Sequence, residues 1–368
     1  MPGLIKKILY IFILLFTSIS YSQLSKTHYI PPLTHAAEGN ANAVDQWMYI
    51  STPSTSPVNV SILPVGGTAQ TITVQNNQPQ KVQISTNGYS QLYVEANTTS
   101  QVMNNKGYII DADKPIYVSV RVNAGGFEGN DDSSAQAGAL VTKGLDGLGR
   151  TFRVGTFNSQ SNSANFNNYL NFLSVMATED NTTVNFTNNY TSGFVIENYS
   201  GQFPINNIQL NRGESYVIAL ELKDTSTATT QDAVTRNRDG LIGTLIQSDK
   251  DIVVNSGSSN GSFHNGGARD YGIDQIVDLS RVGKEYILVR GDGSDGWENI
   301  LVVGHEDGTE INIYGSSNST QTINAGEYHL IEGDLFSSDD NMYISTNKDV
   351  FVYQGTGGGS EANQEMFF

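Results

Sequence analysis

The chain contains no cysteine. This excludes disulfides, thiolate metal sites, a lipidated leader cysteine and cysteine nucleophiles. Positive charge is scarce: 20 Lys and Arg stand against 37 Asp and Glu, a formal charge of −17. So acidic a chain is repelled by phosphate backbones and by anionic membrane surfaces, which argues against nucleic acid as a partner. Charged residues make up only 15% of the sequence, and it is too poor in Ala, Leu, Glu and Lys for a helical bundle or a coiled coil. Beyond the first residues no apolar run is long enough to span a bilayer.

What is present is 38% hydrophobic residues, 10% aromatic residues, 37 glycines and abundant Asn, Ser and Thr. That is too apolar and aromatic for disorder. It fits an all-β protein with many turns. Lys6-Lys7, the apolar stretch Ile8 to Phe16, and small residues at Ser20 and Ser22 form a signal peptide over residues 1–22, cleaved before Gln23. The alternative is an uncleaved anchor. Cleavage removes two lysines and takes the mature chain to about −19. The expectation is an exported chain, of a length for two or three domains.

Internal repeats organise the sequence. Asp113-Lys114-Pro115-Ile116-Tyr117-Val118, Asp249-Lys250-Asp251-Ile252-Val253-Val254 and Asn347-Lys348-Asp349-Val350-Phe351-Val352 read alike. Each is an Asp/Asn-Lys turn entering a β-rich run that ends in Gly-rich sequence. Upstream, Glu179-Asp180-Asn181-Thr182-Thr183-Val184 matches Glu306-Asp307-Gly308-Thr309-Glu310-Ile311, with Val58-Asn59-Val60 as a weaker first copy. Gly213-Glu214-Ser215-Tyr216 matches Gly326-Glu327-Tyr328. The matches come in one order, and their period is too long for a solenoid unit and suits whole β modules.

Alternation supports strands. Ile116, Val118, Val120 and Val122 fall on one face, with Tyr117, Ser119 and Arg121 on the other; Val58, Val60 and Ile62 behave the same way. The expected fold is all-β, with tandem repeated antiparallel β-sandwich modules packed in series over residues 23–125, 138–258 and 270–368. A β-propeller of four-stranded blades is the alternative. A helix is arguable only near Ile273 to Val282. The abrupt ending at Phe367-Phe368 suggests the N-terminal part of a longer surface protein.

Acidic loops are the candidate sites. Gly291-Asp292-Gly293-Ser294-Asp295-Gly296 carries two carboxylates, and Asn130-Asp131-Asp132 is similar. Ca²⁺ takes six to eight oxygens, so Asp292, Asp295, Asp131 and Asp132 are its candidate ligands. Neither loop has EF-hand spacing, and Asp and Gly also favour ordinary turns. No other cofactor is implied. Glu179-Asp180 and Glu306-Asp307 are adjacent on turns and cannot flank a glycosidic bond; they read as structural. His28, His35, His264, His305 and His329 show no metal spacing. Ser262, His264 and Asp270 can be drawn as a triad, but no nucleophile elbow supports it. Trp47, Trp297, Tyr49, Tyr93, Tyr117, Tyr271, Tyr343 and Tyr353 are either a stacking platform or core. The placement of Trp47 and Trp297 before matching strands favours core.

Ser25-Lys26-Thr27-His28-Tyr29-Ile30-Pro31-Pro32-Leu33, then Asp45-Gln46-Trp47-Met48-Tyr49-Ile50-Ser51-Thr52-Pro53, and finally Val352-Tyr353-Gln354-Gly355 with Gly358 to Phe368 resemble the N-terminal region of the IgG Fc-binding protein family. The form is that of large Bacteroidota surface proteins, which end in a type B sorting domain of the type IX secretion system associated with gliding motility. The leader ending Tyr21-Ser22-Gln23 is typical of that phylum. The resemblance implies an exported, surface-displayed, repeat-built β protein used in adhesion or binding; the expectation is a non-enzymatic module with a glycan, mucin or surface protein as ligand. Antibody binding is not implied, and no sorting domain is present. The competing readings are a structural spacer of a giant surface protein and a polysaccharide-active enzyme.

Overall fold

Three long strands, Tyr108–Ala124, Leu245–Gly261 and Asn341–Gly359, organise the molecule. The computed structural model describes residues 23–35, 43–85, 90–124, 136–157, 170–190, 194–221, 239–261, 270–359 and 361–367. Residues 1–22, the expected signal peptide, and Asn130-Asp131-Asp132 lie outside the described residues, as do Ser262 and His264.

Each long strand carries the repeated lysine near its middle and changes neighbours there. Before Lys114, the first long strand lies between Val58–Pro64 and Ser25–Ile30; after it, between Ala43–Ser51 and Gln136–Val141. The second runs between Thr182–Thr187 and Gly149–Arg153, then between Asn171–Ala177 and Asp270–Ile276. The third runs between Thr309–Tyr314 and Gly283–Val289, then between Asn299–Gly304 and Glu361–Phe367. Gln70–Val74, Ile205–Leu210 and Asn318–Ile323 flank the first sheets. Gln80–Ser85, Ser215–Glu221 and Tyr328–Ile331 flank the second. All these pairings are antiparallel. Each unit is thus two sheets sharing one strand that bends from one to the other, a sandwich corner. A propeller does not describe this pairing, because a strand serving two sheets cannot close a single four-stranded blade.

The core lies between the sheets, and the alternation places it. Val58, Val60 and Ile62 from one sheet meet Met48, Ile50, Val118, Val120 and Val122 from the other, all buried. Val184, Phe186, Leu173, Val175 and Val254 do the same in the second unit, and Ile311, Ile313, Ile300, Val302 and Val352 in the third.

The repeated polar residues build the corner. Lys250 Nζ donates to the carbonyl of Asp180, and Lys348 Nζ donates to that of Asp307. Asp249 accepts the N–H of Thr183 at 2.7 Å, and Asn347 accepts that of Glu310 at 2.8 Å. Asp180 and Asp307 accept the N–H groups of Arg212 and Ala325, each at 3.0 Å. Glu214 and Glu327 accept those of Asn211 and Asn324. The aspartate of each Glu-Asp pair, with Glu214 and Glu327, therefore satisfies turn amides that would otherwise lack partners. In the first unit Lys114 instead reaches the hydroxyls of Ser54 and Ser56.

The arguable helix from Ile273 to Val282 is absent. Asp270–Ile276 is a strand, followed by a single 3-10 turn over Leu279–Arg281. Both faces of that strand are buried, so Ile273 and Ile276 fall at a helix-like spacing although the backbone is extended.

Candidate ligand-binding face

Strand register sets the three units in correspondence. Ile116, Ile252 and Val350 follow their lysines by two residues and face Ser25, Gly149 and Gly283. In the second sheets, Ser51, Met176 and Val303 pair with Tyr117, Val253 and Phe351. In the second unit, Met176 and Val253 pack on Tyr29, Val65 and Ile109 of the first. In the third, Val303 and Phe351 join the core of the second unit, and the Tyr353 hydroxyl donates to the carbonyl of Arg153. The turns follow suit. Gly213 lies against Ile109 and Val65 of the first unit, and Gly326 against Gly243 and Asn189 of the second. The second and third units each lay their second sheet on the first sheet of the unit before.

The first unit has the same face, and no other unit packs on it among the described residues. Its chemistry has changed. Where the second unit has Met176, Val253 and Val217, and the third has Val303, Phe351 and Leu330, the first has Ser51, Tyr117 and Lys81. Tyr49 and Tyr117 are 38% and 39% exposed, whereas Met176 and Val253 are at 0% and 1%.

On this face Asp45, Trp47, Tyr49, Lys81, Ser119, Arg121 and Asn123 line an open cavity of about 630 Å³. Lys81 Nζ sits 3.6 Å from the Trp47 ring centroid and 5.6 Å from that of Tyr49. This cation–π contact holds both rings in place. The pairing of Ala43–Ser51 with its neighbours slips between Ala43 and Gln46 and again between Gln46 and Trp47. The bulge turns two consecutive side chains, Asp45 and Gln46, into buried positions, and bulges re-aim side chains in this way. Asp45 is only 7% exposed, and its Oδ1 has no hydrogen-bond partner among the described residues. A buried carboxylate oxygen without a donor is costly, and Asp45 lines a cavity rimmed by aromatic rings, a lysine and an arginine.

The sequence pointed elsewhere. Asp295 pairs with Arg290 at 2.6 Å, while Asp292 is exposed. Glu298, not singled out from the sequence, is fully buried and organises that loop. It accepts the N–H groups of Gly291, Gly293 and Gly357, each at 2.9 Å. Three glycine amides converging on one carboxylate give no signal along the chain, because Gly357 is 59 residues away. No group of three His, Asp or Glu side chains able to hold a metal occurs among the described residues. His28 is buried, with Nδ1 2.6 Å from Thr142 Oγ1 and Nε2 facing the carbonyls of Ser25 and Ile116; burial holds its pKa below the usual value. Gly257 to Gly261 continues the second long strand and forms no nucleophile elbow. Trp297, Tyr93, Tyr271 and Tyr353 are core, whereas Trp47, Tyr49 and Tyr117 are not. Trp47 and Tyr49 alternate on the same side as the outward Ser119 and Arg121, a pattern that alone does not say which face is covered.

No curated protein sequence matches the chain. Two solved structures align over 92% of it at 11% identity. One is described as a Ca²⁺-stabilised adhesin that helps an Antarctic bacterium reach out and bind ice, with 72% of that chain covered and a TM-score of 0.13. The other is a tetra-tandem repeat in the extending region of a large adhesion protein, 73% covered, with a TM-score of 0.10. The family model described as IgGFc binding protein matches residues 137–368. That match spans the second and third units and more than half of the sequence, and the chain belongs to the IgGFc binding protein family.

Proposed function

We propose that this chain is an exported, surface-displayed adhesion module without enzymatic activity, which holds a surface protein ligand on the outer face of its first unit. The observation that carries this reading is the contrast among three equivalent faces. Two are apolar and covered; the third bears Trp47, Tyr49, Tyr117, Lys81 and Arg121, with Asp45 lining the cavity beside them. Trp, Tyr and Arg are the residues that dominate protein-binding hot spots. Lys81 already covers the Trp47 ring, which favours a protein partner over a sugar stacked on that ring. In the same proposal, residues 1–22 direct export, the type IX route delivers the chain to the surface, and three modules run over 25–141, 149–276 and 283–367. Each of these ends one strand later than a division at 23–125, 138–258 and 270–368 would place it, except the last. The serial stacking of the units favours a second reading, a spacer that binds nothing.

The test is binding of labelled 23–368 to arrays of glycans, mucins and immunoglobulins, with Ca²⁺ and with chelator. Saturable binding to a protein ligand is expected. Trp47→Ala should weaken it by about 2 kcal/mol or more, roughly thirtyfold in Kd, with Lys81→Ala in the same direction. No binding on any array would leave the spacer reading standing.

A further inference from the structure

The third unit has an uncovered face of the opposite kind. Its first sheet is equivalent to the sheets that the second and third units cover in their predecessors. Register puts Ile287 at the place of Tyr29 and Arg153, and Tyr343 at the place of Ile109 and Leu245. It puts Tyr314 at the place of Leu63 and Thr187. Tyr29 is 8% and Arg153 6% exposed, because the next unit lies on them; Ile287 is 79% exposed, with Val289 at 65% beside it. Tyr314 and Tyr343 stack with ring centroids 5.5 Å apart, and Tyr343 donates to Glu285 at 2.9 Å. An exposed cluster of two aliphatic and two aromatic side chains on one sheet face marks an interaction surface.

We propose that this face receives a fourth β unit of the same kind, stacked as the second is on the first and the third on the second. The occupant is defined by what the chain uses twice. It is a sheet face with apolar side chains where Met176 and Val253, then Val303 and Phe351, meet the unit before. A glycine turn follows, at the place of Gly213 and Gly326. The exposed face of the first unit does not fit this role. Ser51 and Lys81 stand there at the positions of Met176 and Val217, so a second copy of the chain presents the wrong chemistry. This inference rests on the third unit alone and stands whether or not the first unit binds a ligand.

The absence of cysteine makes the test direct. Ile287→Cys supplies the sole thiol, and its alkylation rate is measured in 23–368 and in the same chain extended by a second copy of residues 277–368. That second copy keeps its own isoleucine. The extension supplies the apolar face of Val303 and Phe351 as the probe. Fast labelling is expected in the parent chain, slowed about tenfold or more in the extended one, because reaction then requires local opening. Tyr29→Cys is the covered control. Ile287→Lys with the thiol moved to Val289→Cys should restore fast labelling while circular dichroism shows the added unit folded. Equal labelling of parent and extended chains, with the added unit folded, overturns the proposal. So does concentration-dependent self-association of the parent chain that protects Ile287→Cys, since a second copy would then be the occupant.

Discussion

Gly155 sits where the second unit meets the third, and replacing it with alanine tests the stacking directly. A Cβ at this position would lie 2.4 Å from Cε2 and 2.5 Å from Cδ2 of the Tyr353 ring. Carbon atoms rest about 3.5–4.0 Å apart, so the contact is short by roughly 1 Å. The ring cannot swing away cheaply, because it is fully buried and its hydroxyl is bonded to the Arg153 carbonyl. Gly155 is not among the positive-φ glycines, so alanine meets no backbone penalty and the cost is steric. Overpacking of this kind costs about 1–3 kcal/mol. At roughly 2–4 °C per kcal/mol, thermal melting followed by circular dichroism should fall by several degrees. Tyr353→Ala removes the obstacle at its own cost of about 3–5 kcal/mol. In that background Gly155→Ala should be close to neutral, a coupling of about 1 kcal/mol or more. If Gly155→Ala costs the same with and without the Tyr353 ring, the contact does not join the two units and the reasoning fails.

Three further outcomes follow from the same geometry. Glu298→Ala strips the acceptor from three glycine amides, so urea unfolding should show a loss of about 3 kcal/mol or more, with cleavage by protease focused on residues 291–297; wild-type stability would show the carboxylate to be dispensable. Acid should destabilise the protein in two windows. Burial lowers the His28 pKa below 6.5, so the neutral ring contributes stability above that value that is lost as pH falls below it. Asp278 is opposed by burial but held below its ordinary value by the N–H groups of Ser280, Thr151 and Arg150, so its share is present at neutral pH and lost as pH falls through the carboxylate range. Asp278→Asn should flatten the lower window, and an unchanged pH profile would refute the assignment. Chelator should leave Tm unchanged, because Asp295 is committed to Arg290 and Glu298 to three amides. A Ca²⁺-dependent rise in Tm, absent in Asp295→Asn, would identify Asp292 and Asp295 as ligands.

The sandwich was legible because its signals are local. Val118, Val120 and Val122 alternate with Tyr117, Ser119 and Arg121 along one strand, and the burial of the first set follows from period two alone. The lysine repeat was legible as a repeat but not as a corner. Lys250 meets Asp180 and Lys348 meets Asp307 across the gap between two sheets, and only folding brings them together. The candidate face was hidden for a different reason. Trp47 and Trp297 look equivalent along the chain, yet one precedes its strand and lies in the core while the other lies within its strand on the outside. A tryptophan carries no mark of which it will be until the bulge at Asp45 fixes the register.

Repetition of this kind separates the scaffold from what it presents. The corner hydrogen bonds depend on Asp or Asn, Lys, and the Glu-Asp turn, and they are the same in the second and third units. The outward positions of the second sheet take no part in them, so each unit can change its face without disturbing its corner. Apolar residues there, as at Met176 and Val303, commit the face to the unit before. Serine and lysine at the same places, Ser51 and Lys81, remove that option, because burying the ammonium under a sheet without a partner charge is far more costly than leaving it in water. A swap shows whether the choice lies in these few side chains. Ser51→Met with Lys81→Val and Tyr117→Val gives the first unit the face of the second, leaving Trp47 and Asp45 in place. The variant should keep its corner and its Tm within a few degrees, lose ligand binding, and gain a concentration-dependent association that Ile287→Lys in the same chain abolishes. An unchanged monomer would mean that the apolar pair is insufficient, and that the turn at Gly213 and Gly326 sets the stacking instead.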